Sequence, residues 1–313
     1  MIAVVIRRLL ATIPVMAVVA IIVFSLLYLT PGDPAAVLAG EQATSEDIER
    51  LRLALGLDQP FLVRFGQWIS GVVQGDLGTS IFSRRPVMEL IIQRLEPTIA
   101  LTLASLVIAV TIAIPLGVIA AWRSGGLVDR AAMSFAVLGF SVPVFVLSYL
   151  LITLFSVKLS ILPVQGYVPI AYGFGPFAQH LILPAFSLGI INAALIARIT
   201  RTTMLEVLNQ DYIRAARAKG LSVRRVLVRH ALKNAAIPIV TVIGISFSLL
   251  ISGVVVTETV FNIPGLGRLT VDAILRRDYP VIQGVILVFS ATYVVVNLLV
   301  DLSYSLFDPR IKH

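Results

Sequence analysis

Apolar residues are gathered along this chain into six long runs, at about 9–29, 98–122, 131–157, 180–197, 237–256 and 281–300, and the segments between them hold nearly all of the charge. A helix needs about 20 predominantly apolar residues to cross the hydrocarbon core of a bilayer. The pattern therefore predicts an all-α polytopic membrane protein with six transmembrane helices in a single transmembrane domain over residues 1–313. The run at 9–29 carries no charge over 21 residues. The apolar region of a secretory signal peptide is only about 7–15 residues long, so this run is read as a retained first span, with Pro14 near one end. The third run contains Gly139, Ser141, Val142 and Pro143. Proline inside a membrane helix can mark a bend beside a cavity, and a packing kink is the plainer reading. The fourth run is expected to continue as helix to Leu208, where Asn209 and Gln210 break it.

Between the first two runs, residues 31–97 read as a structured loop. Thr44 can cap a helix with Asp47 at its third position, Ile48, Leu51 and Leu55 form an apolar stripe, and Gly56 closes it. Residues 158–179 read as a Gly/Pro-rich loop.

The segment 198–236 breaks this rhythm. From Arg198 to Lys233 there are nine Lys or Arg against two acids, Glu206 and Asp211. Asp211 is a suitable N-cap for a short helix running to Lys219, and Gly220 can stop it in the left-handed conformation. Tyr212, Ala215, Ala216 and Lys219 fall at helical spacing and predict a face of small and aromatic groups. Arg214 and Arg217 point elsewhere. A second helix is expected to carry Val223, Val226 and Leu227 on one side and Arg225, Arg229 and Lys233 on another. A basic amphipathic helix lying on anionic lipid is the plain alternative for this segment.

Composition agrees with a membrane protein: 58% of residues are hydrophobic and 13% charged, against about half and a quarter in soluble domains. The net charge of +8 is unevenly spread. Segments assigned to the inside hold 15 Lys+Arg and 5 Asp+Glu, and those assigned to the outside hold 10 and 12. By the positive-inside rule, both termini are expected in the cytoplasm. The chain has no cysteine, which excludes disulfides and thiolate chemistry.

Ala215, Ala216 and Gly220 in the arrangement Ala-Ala-x-x-x-Gly, set between two spans, resemble the EAA loop of the membrane subunits of ATP-binding-cassette (ABC) importers. The form RAARAKGL followed by RHALKNAAIP is similar to the branch that carries dipeptides, oligopeptides, glutathione or nickel complexes. LGLDQP (55–60), GDLGTS (75–80), RRPV (84–87), PGLGR (264–268) and RDYPVIQ (277–283) resemble segments of that same branch, so the likeness covers nearly the whole chain. Two departures from the general motif are present: Arg214 stands where it has Glu, and Lys233 where it has Pro.

The resemblance implies a type I ABC importer permease fold, a pore-forming subunit working by alternating access, and localisation in the cytoplasmic (inner) membrane. It further implies a second homologous permease subunit, two cytoplasmic ABC ATPase subunits and an extracytoplasmic substrate-binding protein. Asp211, Tyr212, Arg214, Ala215, Ala216, Lys219, Gly220 and Leu221 would couple to the ATPase. Peptide is the expected cargo, and nickel, another chelated metal or an opine-like solute is the alternative.

No G-x-x-x-x-G-K-[ST] loop occurs, so ATP and Mg are expected on the partner ATPases and no cofactor on this chain. His180, His230 and His313 are spread among different segments, and no metal site and no catalytic residue is expected. None of the six runs carries an ionisable residue deep inside, which weighs against an ion-coupled secondary transporter. A passive channel leaves the basic loop without a job. Candidate residues of a translocation path are Ser141, Pro143, Ser148, Asn192, Thr241 and Ser246, neutral groups that bind a peptide backbone weakly.

Overall fold

The computed structural model describes residues 2–29, 34–39, 43–54 and 56–307. Residues 30–33, Leu55 and the tail 308–313, with His313, lie outside these, as do the side chains of Arg7, Arg8 and Leu51. Among the described residues, five helices are long and apolar enough to cross a membrane, and six if one bent pair forms a single span. The chain divides into two compact units, one built on Glu96–Arg268 with short stretches of both chain ends, the other on Ile6–Leu95 and Leu269–Val294.

The larger unit is assembled around α8 (Phe174–Leu208), the most enclosed of the long helices. Small residues make this possible, because apolar lipid supplies no hydrophobic drive for helices to associate and close packing must do so instead. A Cβ added at Gly117 of α5 (Val87–Trp122) would lie 2.6 Å from the Thr200 Cβ and 2.7 Å from the Ala197 carbonyl. One added at Gly253 of α11 (Ala236–Val260) would lie 2.5 Å from Leu188. At Gly117 α5 and α8 therefore meet almost backbone to backbone, while Gly253 makes room for the end of the Leu188 side chain. α8 does run to Leu208, but it begins at Phe174 and takes in residues expected to be loop. α5 likewise begins at Val87, well before residue 98.

The run 131–157 is not one continuous helix. It folds as α6 (Leu127–Ser141) and α7 (Val144–Leu151, prolonged by π-helical turns Ile152–Lys158), bent by 103°. Pro143 disfavours the helical region for the residue before it, and Val142 is extended at φ −89°, ψ 121°. A proline kink removes one hydrogen bond. Here the residue before the proline has also left the helix, so the chain turns a corner. The loop after α7 is pinned inside this unit: Gly166 N–H donates to the Phe261 carbonyl (2.8 Å), and the Tyr167 hydroxyl and Ile170 N–H both donate to Glu96 Oε1 (3.1 Å each). Burial, and then the Glu96 carboxylate, push the Tyr167 phenol well above its usual range.

The smaller unit holds most of α1 (Ile2–Leu29), α2 (Pro34–Ala39), α3 (Ser45–Ala54), α4 (Phe61–Val73) and the first part of α13 (Tyr279–Phe307). Thr44 and Asp47 cap α3 reciprocally: Asp47 N–H donates to Thr44 Oγ1, and Thr44 N–H to Asp47 Oδ2, both at 3.2 Å. Gly56, at φ +61°, follows this helix. Phe24 and Tyr28 of α1 meet Phe61 of α4, and Phe24 also meets Phe65 and Trp68. Asp278, 4% exposed, accepts from the Ser80 hydroxyl at 2.5 Å and from Ile81 N–H at 3.1 Å. Two segments picked out by resemblance, GDLGTS and RDYPVIQ, are thus tied by one buried carboxylate.

Candidate coupling surface and translocation path

Inside the larger unit, α8 ends at Leu208 and the chain turns at Asn209 and Gln210 into α9 (Asp211–Ala218). Gln210, not Asp211, is the N-cap: its backbone is extended, and its carbonyl accepts from Ile213 N–H at 3.1 Å and Arg214 N–H at 3.3 Å. Asp211 is the first helical residue. There its carboxylate still favours the positive helix end, and it pairs with Arg214 at 3.2 Å on the open surface. The other end is a Schellman closure: Gly220 N–H donates to the Arg217 carbonyl (2.9 Å) and Leu221 N–H to that of Ala216 (3.3 Å). Lys219 is the cap, and Gly220 takes φ +76°. A Cβ at Gly220 meets nothing within 4 Å. The need for glycine there is conformational, not steric.

Two faces of α9 differ sharply. Ile213, 0% exposed, and Ala216, 8% exposed, pack into a cluster with Ala121, Met204, Leu208, Val226, Ala231, Ala235 and Ile239. Arg217 lies over the Trp122 ring, 4.8 Å from its centroid, a cation–π contact that closes the edge of the cluster. Tyr212, Arg214, Ala215 and Lys219 are exposed. Ala216 therefore does not belong to the outward row in which helical spacing placed it. The row is Tyr212, Ala215 and Lys219, and Ala216 faces inward beside Ile213. The spacing of Ile213 and Ala216, three apart, was readable in DYIRAARA. Which of the two stripes faces in was not.

The second helix begins as α10 (Val223–Arg225) and continues as π-helix through Val226–Leu232. Val226 and Ala231, five apart, are both buried, matching the wider π turn. Val223, expected on the apolar side with Val226, is 48% exposed.

One ion pair has no signature in local spacing. Arg201 of α8 grips Asp129 at the start of α6 with two nitrogens, Nη2 lying 2.6 Å from Oδ2, and Gly125 N–H adds a bond of 2.9 Å. Asp129 is 4% exposed. A bidentate pair of this kind is directional as well as strong, and it fixes the first turn of the broken helix to α8, two turns before α9.

The six candidate path residues do not form one lining. Ser141 is exposed and borders a cavity of about 160 Å3 with Ala136, Val137, Phe140, Ala194, Leu195 and Arg198. Pro143 stands at the corner where α7 begins. Thr241 is half-buried and shares a hydrogen bond of 2.9 Å with the Tyr304 hydroxyl. Ser148, Asn192 and Ser246 are buried. Ser148 and Asn192 donate to carbonyls of their own helices, Val144 at 2.8 Å and Leu188 at 2.9 Å.

One ionisable residue stands just beyond the fifth apolar run. α11 continues past residue 256 to Val260, and Glu258 on its last turn is 0% exposed. It accepts from the Thr98 hydroxyl at 2.6 Å and from Arg268 N–H at 3.0 Å, while Thr98 Oγ1 accepts from Leu266 N–H at 2.8 Å. The glycines of PGLGR are what lets the carboxylate in, since a Cβ at Gly265 would lie 2.0 Å from Glu258 Oε1. The two described histidines stand apart: His180 hydrogen-bonds the Pro176 carbonyl at 2.9 Å, and His230 is half-buried in the π-helix.

These features agree with what the chain is similar to. A protein of Sinorhizobium fredii named "Probable peptide ABC transporter permease protein y4tP" is 55% identical over 99% of both chains. The glutathione transport system permease protein GsiC of Escherichia coli K12 is 47% identical over 99% of this chain and 98% of its own. An inward-facing structure of the MetNI methionine ABC transporter matches with a TM-score of 0.58 at 19% identity, over 71% of this chain and 97% of that chain, a likeness of fold. The family model described as "Binding-protein-dependent transport system inner membrane component" matches residues 113–313, and one described as "Binding-prot-dependent transport system membrane comp, N-term" matches residues 1–102. An all-α chain of five or six apolar helices, matched along nearly its whole length, belongs to the family of binding-protein-dependent transport system inner membrane components.

Proposed function

We propose that this chain is the pore-forming subunit of an ATP-driven importer of peptides, di- or oligopeptides or glutathione, in the inner membrane. The observation that carries the reading is the 55% and 47% identity, over 99% of this chain, to proteins named for peptide and glutathione transport. The subunit supplies the pathway, and ATP and Mg act on its ATPase partners. A second permease subunit, two cytoplasmic ATPases and an external binding protein complete the assembly, and both termini lie in the cytoplasm. α9 supports a coupling role because one face is locked into its own subunit by Ile213 and Ala216 and the other is open. A load applied to Tyr212, Ala215 and Lys219 reaches the ends of α5, α8 and α11 through packed side chains. The Asp129–Arg201 pair then ties α8 to the start of the broken helix. Within the path, Ser141 and Pro143 at the corner and Thr241 remain the candidates for cargo contact.

Two experiments test this. Ala215→Glu puts a charged, longer side chain on the open face without disturbing the cluster below. In proteoliposomes with the ATPases and binding protein, uptake should fall at least tenfold, about 1.4 kcal/mol or more of lost coupling, while the complex still inserts. Wild-type uptake by this variant removes the coupling surface. Orientation is tested by cysteines, since the chain has none of its own: one at Glu46 should react with an impermeant reagent added to spheroplasts, and one at Arg224 only after lysis. Labelling of intact spheroplasts at Arg224 overturns the orientation and the ATPase partnership together.

A further inference from the structure

α4 has three sides. At about 100° per residue, Phe61, Phe65 and Trp68 fall on one side, and these are the rings that pack on Phe24 and Tyr28 near the Leu29 end of α1. Arg64, at the margin of that side, lies over the rings of both Phe24 and Tyr28, 5.8 and 5.4 Å from their centroids. Leu62, Ile69 and Val73 fall within about 40° of one another on a second side, roughly a quarter turn from the first. Leu62 is 78% and Val73 82% exposed, and Ile69 is half-buried. Gln67, Ser70 and Gln74 occupy a third side and are exposed, with Val63, 48% exposed, among them and the Gln74 amide donating to the Ser70 hydroxyl at 3.2 Å.

A stripe of exposed Leu, Ile and Val beside a polar row calls for an apolar medium on one side and water on the other. The depth of α4 is set by its docking partner. α1 is long and apolar enough to cross the membrane over Leu10–Leu29, and α4 is fastened to its last two turns, where a spanning helix passes from hydrocarbon into headgroups. At 13 residues, α4 is about 20 Å long, too short to cross a core of about 30 Å. It can lie along the boundary. Trp68 and Tyr28 are there the amphipathic rings that such boundaries collect, and Arg64 can keep its charge toward the headgroups while its stem covers the rings.

We propose that α4 is an interfacial helix of the bilayer, with Leu62, Ile69 and Val73 inserted among lipid acyl chains and Gln67, Ser70 and Gln74 facing water. The occupant of the exposed stripe is lipid. The helix thereby anchors the outer part of the smaller unit, which follows α1, to the membrane surface.

The test uses the assembled transporter in lipid nanodiscs, with single cysteines at 62, 69 and 73 and at 67, 70 and 74 carrying nitroxide labels. Collision with oxygen, which partitions into lipid, is compared with collision with a water-soluble nickel chelate. Labels at 62, 69 and 73 should favour oxygen several-fold over those at 67, 70 and 74, which should favour the chelate. Equal chelate access around the helix places the stripe in water and overturns the proposal. So does poor access of both reagents at 62, 69 and 73 that is relieved when the external binding protein is left out, since a protein then covers the stripe.

Discussion

Ile213→Asp should abolish ATP-driven uptake while leaving the membrane spans inserted. Ile213 is fully buried among Met204, Leu208, Val226 and Ala231, and it is the largest side chain that α9 contributes to that cluster. An eight-residue helix has almost no stability of its own, so α9 stays in place because of this anchor. Losing an isoleucine's burial removes roughly 1.5–3 kcal/mol, and forcing a carboxylate into the same site costs more unless the helix lets go. A detached α9 presents Tyr212 and Ala215 on a loop that carries no load. The control is Ile213→Val, which costs only about 0.5–1.5 kcal/mol and should transport well. Uptake in proteoliposomes and hydrogen exchange over residues 211–220 read the result. Wild-type uptake with Asp at 213, or unchanged protection of the segment, would show that the cluster does not hold the helix.

Glu258→Ala should destabilise the folded subunit more than any loss of a surface charge. Two bonds to this carboxylate are made without access to water, one from Thr98 and one from Arg268 N–H. A buried donor deprived of its acceptor costs about 1–3 kcal/mol, so about 2–6 kcal/mol is at stake for the two. Gly265→Ala should act on the same knot from the other side, because its Cβ would lie 2.0 Å from the carboxylate oxygen and one or the other must move. Both variants should melt several degrees below wild type in detergent and yield less monodisperse protein. Glu258→Gln should fall between, since it keeps an acceptor for Thr98 but turns a second donor toward Arg268 N–H. A wild-type melting point for Glu258→Ala would reduce the carboxylate to a bystander.

These two sites also show where sequence reasoning reached and where it stopped. Ile213 lies in the most distinctive segment, yet helical spacing alone marks Tyr212, Ala215, Ala216 and Lys219 as the docking face and leaves Ile213 out. Rotation about the helix axis is fixed by what lies beneath, here Met204 and Ala235 from helices on either side of the loop. Glu258 falls outside the apolar run, which fades at residue 256, whereas the helix continues to Val260. Its partner Thr98 is 160 residues away. Ser80 and Asp278 are 198 apart, and Arg201 and Asp129 are 72 apart. No local spacing encodes such pairings.

The sequence by itself determined the membrane class, the apolar runs and the helix ends at Leu208 and Gly220. It also determined the family, because hydrophobic length, cap chemistry and motif spacing are local properties, written within a few turns of chain. Only the tertiary structure decided that the third run turns through 103° at Val142 and Pro143, that Ala216 faces in and Ala215 out, and that Ser148, Asn192 and Ser246 are buried. Each of these depends on which helix comes to lie against which. In a membrane, where every helix face is apolar, that choice rests on small residues such as Gly117 and Gly253 and on a few buried carboxylates, whose partners lie far along the chain.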